Sequence, residues 1–532
     1  MKKIYKNSWF LFVLLIGSIT ACKDYLDVNT DPNVPTSTEA AFLLPAAEQA
    51  MANGIQLDSR YIGKYVQYWV DRLASNQWDL HGYDAGSDNG GQIWRNHYWN
   101  LGKNLDLIIE DARSKGKNTY IGIAYAIRAW SWQMTTDVHG EAILKQAWDA
   151  QRIVFDYDSQ EDIYKEVQRM ADSSLYYLNQ TTAPDAYIAT SDQLFKGDAS
   201  KWKKFVKGIL ARSQIHLTNK TTFNADSVIA YCNASLSSAA GADDAFVPYN
   251  GNTTDDAHFY GPLRNNLRLF RQSTYLTNLL AGRNVIFKNH PDSLRGVDPR
   301  LSLMLMPSRD GNYRGMDPVT GELASTVWNQ LIPSVFNTLR DSAAPVGYRG
   351  RLLFGDNAKM PLMTYSEIQL IKAEAQYRKG DKAGALVSYK NAVGAHVDFL
   401  NSYAAAFNNT PLSVAMKDTL LLKRPTIVPL VADSLNMSRI MAQKYLIGYG
   451  WNHVETWNDL RRYHYMVDSY QGKTVYEEFK FPTTWFGVNG SKPAHRLRPR
   501  YNSEYVWNKD ALNKIGGLAA NFHTVELWFS KP

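Results

Sequence analysis

Several aromatic residues of this 532-residue chain lie in short segments rich in amide, acidic and basic side chains. A flat aromatic face beside such groups suits a sugar ring, because the ring stacks on the π system while its hydroxyls hydrogen-bond to amides and charges. The same composition also suits peptide recognition or a protein interface. The predicted ligand-binding residues lie in the segments SNQWDLHGYDAGSDNGG (Trp78, Asp79, Tyr83), AHFYGPLRNN (Tyr260, Arg264), DGNYRG (Tyr313) and STVWNQ (Trp328).

Common catalytic motifs are missing from the sequence. It contains no G-x-S-x-G, Walker A or H-E-x-x-H motif and no Cys/His cluster with zinc spacing. The neighbouring carboxylates Asp255 and Asp256 have the chemistry of a glycosidase pair, but a solvated loop explains them better. No catalytic residue is therefore predicted from motifs. A glycoside hydrolase is the least favoured alternative.

One segment near the N-terminus partly fits a calcium loop. Asp27, Asn29 and Asp31 occupy positions 1, 3 and 5 of such a loop. Position 6 is Pro32 where glycine is needed, and position 12 is Thr38 rather than glutamate. No metal site or cofactor is predicted, and a bound calcium has no support from this pattern.

The elements that position these segments are mostly amphipathic helices. One helix is expected to begin after the N-cap residues Thr36 and Ser37 and to end at Gly54. Another begins at the N-cap Ser159. Trp99, Trp130 and Trp132 lie inside helical patterns and are interpreted as packing residues. Residues 243–335 and 470–506 are rich in Gly, Pro, Asn and Asp and are predicted to form long ordered loops.

A further pattern is typical of paired helices. In AEAQYRKGDKAGALVSYKNAV, Ala385, Tyr389 and Ala392 have the spacing of the second helix of a tetratricopeptide repeat, while Ala373 and Gly380 fit the first helix and the turn. The closing proline of the repeat is missing, so a generic helical hairpin also fits. Either interpretation places two antiparallel helices here.

The N-terminus has the features of an export signal. A basic stretch with Lys2, Lys3 and Lys6 precedes an apolar run of eight residues, too short to span a bilayer. The small residues before Cys22 make this segment resemble a bacterial lipobox, in which Cys22 becomes the lipidated first residue of the mature protein. An ordinary secretory peptide is the alternative. We predict a signal peptide over 1–21, a lipidated tether over 22–40 and a single domain over 41–532.

The net charge and the cysteine content indicate which kinds of partner are not expected. The formal net charge is +7 and no Lys/Arg block dominates one segment, so nucleic acid is not an expected partner. Apart from Cys22 the chain has one cysteine, Cys232, which lies in an apolar helical pattern and is predicted to be a buried small hydrophobe. Membrane contact is expected through the lipid anchor only.

Motifs spread along the chain resemble those of the SusD/RagB family, specifically its SusD-like branch. They are CKDYLDVNTDPN, GDASKWKKFVKGILARSQIHL, DPRLSLM, MPLMTYSEIQLIKAEAQYRKGD, IMAQKYLIGYG followed by ETWNDLRRYHY, and RLRPRYNSEYVWN. Two departures are visible. TDVHGEAILKQAW is a loose version of the family's Gly-Asp-Val-Pro segment, and Asn502 stands where the family usually has proline.

The resemblance implies an all-α fold with a tetratricopeptide-like scaffold of helical pairs and long irregular ligand-binding loops. It also implies a lipoprotein on the cell surface of the outer membrane. Such a protein is a binding protein and not an enzyme. It binds oligosaccharide or polysaccharide nutrients and delivers them to a TonB-dependent SusC-like transporter. Peptides or protein fragments are the alternative ligands, because the RagB side of the family takes peptides.

The family's starch-binding type uses an aromatic arc with one part early in the chain and one after its first half. By position, Trp78 and Tyr83 fit the first part and Tyr313 and Trp328 the second, and Trp78→Ala is expected to reduce binding and leave the fold intact. Four residues in family motifs are interpreted as scaffold: Glu367, Glu374, Trp457 and Arg461.

Overall fold

Helices form most of the computed structural model, which describes residues 38–288, 297–323, 326–336, 351–406 and 409–532. The predicted signal peptide, Cys22 and the partial calcium loop at Asp27, Asn29 and Asp31 lie outside these residues and stay predictions. Of the tether over 22–40, only the last residues are described.

The helix bounds are as follows. The longer helices are α1 (Ala40–Tyr65), α3 (Lys103–Ser114), α4 (Asn118–His139), α5 (Gln160–Leu178), α7 (Ala199–His216), α8 (Ala225–Asn233), α12 (Tyr365–Lys379), α13 (Lys382–Ala406), α14 (Val414–Lys423), α15 (Met437–Ile447) and α16 (His453–Arg462). The shorter ones are α2 (Gln92–Arg95), α6 (Ile188–Ser191), α9 (Thr274–Leu280), α10 (Val285–Lys288), α11 (Leu301–Met304) and α17 (Lys509–Lys514). Two segments are π-helical: Asn96–Gly102, the first π-helix, and Tyr501–Trp507, the second.

The first helix is longer than the sequence predicts. α1 continues through Gly54 to Tyr65, so the expected end at Gly54 is wrong. The glycine serves packing instead, because a Cβ there would lie 2.7 Å from the side-chain nitrogen of Asn96. That nitrogen donates to the carbonyl oxygen of Ala50 at 2.8 Å. A small residue therefore lets the first π-helix lie directly on α1.

Helix pairs build the scaffold. α4 packs along α5, and a Cβ at Gly122 would lie 2.5 Å from Leu178, so the glycine permits this close approach. As predicted, α5 begins at the N-cap Ser159, whose hydroxyl accepts the Asp162 backbone N–H at 3.1 Å. α7 and α8 form the next pair.

The tetratricopeptide-like pair is α12 and α13, which confirms the prediction of two antiparallel helices. α12 ends at Gly380, whose φ of +92° is left-handed and favours glycine. Ala373, Ala385, Tyr389 and Ala392 are fully buried between the helices. The small residues therefore set the spacing of this pair.

Strands are few and short. β1 (Trp69–Asp71) pairs antiparallel with β3 (Phe270–Gln272), joining Trp69 to Gln272. β2 (Ala245–Val247) pairs with β4 (Met360–Met363), and β5 (Ser469–Tyr470) pairs with β6 (Lys473–Thr474). Each sheet has two strands, so the fold is all-α in class, as predicted. The first two sheets tie the irregular segment within 243–335 to α1 and to α12.

Buried ion pairs join the helices, which confirms the scaffold interpretation of the motif carboxylates. Glu367 on α12 accepts two hydrogen bonds from Arg212 on α7, both 2.7 Å long. Glu374, about two turns further on, is paired with Arg462 on α16 and Lys444 on α15. Removing one partner from such a pair leaves an uncompensated buried charge and is strongly destabilising.

The other two motif residues are also structural. Trp457 on α16 donates its indole N–H to Tyr465 at 2.8 Å. The Arg461 guanidinium lies 3.9 Å from the Trp457 ring centre and donates to the carbonyl oxygens of His495 and Asp137, both at 2.7 Å. α16 is thereby fixed to α4 and to the C-terminal segment.

Candidate functional site

A broad aromatic cleft of about 640 Å³ lies where the first π-helix meets the second. Its volume is in the range typical of small-molecule sites. The residues that line it, called the aromatic cleft below, are Trp94, Arg95, Tyr98, Trp99, Ile143, Ala147, Trp148, Phe155, Arg500, Ser503 and Glu504.

The first π-helix places Trp99 at the surface of this cleft. The Trp99 side chain is 76% exposed, so its interpretation as a packing residue is wrong. That interpretation assumed an α-helical period, whereas a π-helix has a wider turn with i→i+5 hydrogen bonds and changes which residues share a face. Trp130 and Trp132 lie in the regular helix α4 and are buried, as expected.

Hydrogen bonds hold the aromatic wall in place. The Tyr98 hydroxyl donates to the carbonyl oxygen of Ile143 and accepts the N–H of Ile143, both at 2.8 Å. The Trp148 indole N–H donates to the carbonyl oxygen of Tyr98 at 2.9 Å. Trp94 and Tyr98 pack with ring centres 4.8 Å apart. The rings are thus oriented before any ligand arrives.

Close packing also fixes Trp148. A Cβ at Gly102, the last residue of the first π-helix, would lie 2.1 Å from the Trp148 indole nitrogen. On the other side, the Arg128 guanidinium lies 5.0 Å from the centre of the Trp148 ring and donates to the carbonyl oxygen of Gly102 at 2.8 Å. Gly102 therefore allows the Trp148 ring to lie against the π-helix.

The opposite wall comes from the second π-helix, more than 400 positions later in the chain. Asn502 connects this wall to the early loop, because its backbone N–H and side-chain N–H both donate to Asp88 at 2.9 Å. A proline, usual here in the family, has neither donor. At Gly91 a Cβ would lie 2.9 Å from the Arg500 Cα, so the two backbones are in close contact.

A few polar groups face the cleft. Arg95 is exposed and pairs with no carboxylate among the described residues. Arg500 Nε and Ser503 Oγ are buried atoms without a hydrogen-bond partner in the described part of the chain. Glu504 accepts hydrogen bonds from the Tyr157 hydroxyl and, at 3.0 Å, from Asn508 Nδ2. Free donors beside rigid rings are what a hydroxyl-rich ligand requires.

A smaller cleft of about 190 Å³ adjoins the first and shares Arg500 with it. Tyr83 lines this smaller cleft, and the Arg498 guanidinium lies 4.4 Å from the Tyr83 ring centre. The rings of Tyr501 and Tyr505 stack here with centres 5.7 Å apart. Of the residues predicted to bind ligand, Tyr83 and Trp78 thus line the cleft next to the aromatic cleft.

Trp78 and Asp79 are buried. Trp78 is 3% exposed and packs on Tyr61, with ring centres 4.3 Å apart, so its substitution is not expected to leave the fold intact. Asp79 accepts the Asp71 backbone N–H at 2.8 Å, and burial raises the pKa of its carboxyl to about 7. The assumption that this polar segment exposes both side chains is therefore wrong. The segment folds inwards around its own hydrogen bonds.

Tyr260 and Arg264 stabilise their own loop. Tyr260 is fully buried, and its hydroxyl hydrogen-bonds to Ser59 on α1. The Arg264 guanidinium donates to the carbonyl oxygen of Thr254 at 3.1 Å and lies 5.7 Å from the Phe259 ring centre. Neither residue lines the aromatic cleft.

Tyr313 and Trp328 lie elsewhere on the surface. Tyr313 is half-buried, and its hydroxyl accepts a hydrogen bond from Arg351 at 3.4 Å. Trp328 is 48% exposed, with the Arg309 guanidinium 4.7 Å from its ring centre. No contact among the described residues joins either one to Tyr83 or to the aromatic cleft. The ligand-binding role of the seven predicted residues stays a prediction.

One group of described residues has the composition of a metal site. Asp137, His216 and Glu455 are buried together. His216 Nε2 lies 2.7 Å from Glu455 and Nδ1 lies 3.5 Å from Asp137. The two carboxylates raise the pKa of His216 to about 9 despite its burial, so the imidazole carries a proton on both nitrogens at neutral pH. The described contacts make the group part of a hydrogen-bonded network, in which the Tyr164 hydroxyl donates to Asp137 at 2.6 Å and lies 3.0 Å from His216 Nδ1.

The comparisons with known proteins agree with this architecture. The family model described as "Starch-binding associating with outer membrane", SusD-like, matches residues 32–478. No curated protein matches the chain. Among solved structures, a SusD/RagB family protein from Bacteroides thetaiotaomicron is 22% identical with a TM-score of 0.68, covering 93% of this chain and 99% of that one.

Two more solved structures are of the same kind. A chitin-binding protein is 20% identical with a TM-score of 0.69, covering 93% of this chain and all of that one. A SusD homologue from Bacteroides fragilis is 16% identical with a TM-score of 0.66 and the same coverage. At these identities the structures establish the fold.

The helical scaffold with its short sheets is that of the SusD-fold proteins. The chain belongs to the SusD-like family. At the family level this membership carries nutrient or carbohydrate binding and association with the outer membrane. Among the described residues, no helix has the length and apolar character needed to cross a membrane.

Proposed function

We propose that this protein binds oligosaccharide or polysaccharide nutrients in the aromatic cleft. The observation that carries the proposal is the cleft itself, in which the exposed indole of Trp99 lies beside the ordered rings of Trp94, Tyr98 and Trp148. Sugar rings present an axial C–H face to such indoles. Their hydroxyls match the donors of Arg95, which is exposed and lines the cleft.

The composition of the cleft favours a glycan over a peptide. Recognition of an extended peptide uses rows of backbone donors and acceptors, as at a sheet edge. The aromatic cleft is lined by residues of α2 and of the two π-helices, by Arg500 and by the segment 143–155. Binding of peptides or protein fragments is the second candidate and is included in the test below.

The lining residues also favour binding over hydrolysis. A glycosidase needs two carboxyl groups about 5 to 10 Å apart across the scissile bond. Glu504 is the single acidic residue among those that line the aromatic cleft, and two hydrogen bonds hold it. The protein is therefore proposed to be a binding protein and not an enzyme.

In this proposal the protein is held on the outer membrane, at the cell surface, by lipid on Cys22 and delivers its ligand to a TonB-dependent SusC-like transporter. The family description supports the outer-membrane association. The chitin-binding protein among the similar structures makes chitin oligosaccharides a reasonable first ligand to try. Starch is the second, because the family description names it.

The test uses residues 23–532, without the lipidated cysteine. Native gels cast with a panel of polysaccharides, and calorimetry with soluble chitin and starch oligosaccharides, measure glycan binding. Tryptophan fluorescence with a peptide mixture measures the alternative. Retardation or heat with one glycan supports the proposal. A fluorescence change with peptides alone favours the second candidate. No binding to any glycan contradicts the proposal.

A further inference from the structure

A second cavity, of about 300 Å³, lies far along the scaffold from the aromatic cleft. It lies between the start of α12, the face of α13 and the sheet formed by β2 and β4. No residue lines both cavities. Its side chains include Asp244, Phe246, Asn357, Phe399 and Tyr403, and it is called the Asp244 pocket below.

Asp244 is a buried carboxylate with one free oxygen. The side chain is 9% exposed. One oxygen accepts the Tyr365 backbone N–H at 2.7 Å, while the other has no hydrogen-bond partner among the described residues. Among the described residues no cation pairs with the group, and the charges that affect its pKa are those of the acids Asp243 and Glu367. Burial accordingly raises the pKa of the Asp244 carboxyl to about 7.

The other charged residues of the pocket do not neutralise Asp244. Asp398 is already paired with Lys417 at 2.6 Å. Lys359 is exposed at the surface and forms no ion pair within the described part of the chain. One oxygen of Asp244 is therefore left in the pocket without a cation or a hydrogen-bond donor from the described residues.

Aromatic rings and a second hydrogen-bond acceptor, Asn357, line the cavity that contains the unpaired Asp244 oxygen. Phe246 and Phe399 are stacked with ring centres 6.3 Å apart, and Tyr403 packs on Phe399 at 5.0 Å. The side-chain oxygen of Asn357 is buried without a hydrogen-bond partner. Acceptors combined with aromatic rings are the environment that proteins use for organic cations, because the ring quadrupole attracts the charge.

We propose that the Asp244 pocket binds the ammonium group of a small ligand, with Asp244 as counter-ion and Asn357 as a second acceptor. An ammonium group donates to both oxygens, while the carbon skeleton lies against Phe246 and Phe399. Amino sugars and the amino termini of short peptides are two sources of this chemistry. The proposal does not depend on what the aromatic cleft binds.

Calorimetry with matched probe pairs tests it on residues 23–532. Glucosamine is compared with N-acetylglucosamine, and glycylglycine with its N-acetyl form, each at millimolar concentration. In each pair acetylation removes the positive charge. The ammonium form is expected to bind at least about tenfold more tightly, because hydrogen bonds between charged groups are the strong ones. The tighter of the two ammonium probes identifies the source.

Variants locate the binding. Asp244→Asn retains an acceptor for the Tyr365 N–H but lacks the charge, and is expected to weaken binding of the ammonium probes about tenfold or more. Ser402→Trp, at an exposed position of the pocket rim, is expected to block it without disturbing the core. Asp255→Asn, at an exposed carboxylate that lines neither cavity, is the control, and Trp99→Ala tests the other cleft. Both are expected to leave the affinity unchanged.

Three results would overturn the proposal. One is no saturable binding of either ammonium probe at millimolar concentration. Another is equal affinity for the ammonium and acetylated forms. The third is loss of binding in Trp99→Ala with no effect of Asp244→Asn or Ser402→Trp, which would assign the amine to the aromatic cleft.

Discussion

Replacement of Trp99 by alanine separates ligand binding from folding. Because the side chain is 76% exposed, its removal is expected to change the free energy of unfolding by less than about 0.5 kcal/mol. The indole surface available to a stacked sugar is roughly half of what a tryptophan buries in a core, on the order of 100 Å². At about 25 cal/mol per Å² this contact contributes about 2.5 kcal/mol to binding.

A loss of that size corresponds to a Kd about 70-fold weaker, and partial coverage of the ring would lower the factor to about tenfold. The assay is calorimetry with the glycan that retards the protein in gels, together with a thermal melt of each variant. Trp328→Ala is the matched control, since Trp328 is also an exposed tryptophan but lies outside the aromatic cleft. Unchanged affinity in Trp99→Ala, with loss in Trp328→Ala, would refute the assignment of the site.

Three further predictions concern the scaffold and the support of the cleft. Trp78→Ala, at a buried ring, is expected to lower the free energy of unfolding by about 3–5 kcal/mol in urea titrations; no loss would mean that the ring is not packed. Gly102→Ala places a Cβ 2.1 Å from Trp148. This clash is expected to lower the free energy of unfolding by about 1–3 kcal/mol and to weaken glycan binding. Gly487→Ala is the control, because no atom lies within 4 Å of its Cβ. The pKa of His216 is about 9 in the folded protein and 6.5 for a free histidine. The stability that His216 adds to the fold is therefore complete below pH 6.5 and is lost as the pH rises through 9. Glu455, with its pKa lowered to about 2, adds stability above pH 4.5 that is lost as the pH falls through 2. The contribution of this ion pair to stability should therefore be greatest between about pH 4.5 and 6.5 and fall by about 3 kcal/mol towards pH 9. A urea midpoint for His216→Gln that falls between pH 6.5 and 9 as steeply as that of the unchanged protein would contradict this.

Local sequence patterns predicted the features that depend on neighbours in the chain. The α12–α13 pair follows from small residues at fixed spacing and a glycine at the turn, and the start of α5 follows from the hydroxyl of Ser159. In both cases the deciding contacts lie within one helical turn or one hairpin. Ala385 and Tyr389 are buried, which confirms that their spacing in the sequence predicts packing between the two helices.

The sequence failed where a distant contact decides the outcome. Gly54 has the composition of a helix end, but α1 continues because Asn96 occupies the space that the glycine leaves. In the sequence, Trp99 fits a packing position of an α-helix. The π-helix that exposes it cannot be predicted from the spacing of the hydrophobic residues. Trp78 lies among polar residues because those residues bind one another and Asp71, not because the ring is exposed.

The aromatic cleft brings together residues 94–99 and 500–504, about 400 positions apart in the chain. During synthesis the site cannot exist until residue 504 has left the ribosome. A bound glycan also connects these two segments. It favours the folded state by RT ln(1 + [L]/Kd), about 2.7 kcal/mol at a hundred times Kd, and it makes the loosening of either segment depend on release of the ligand.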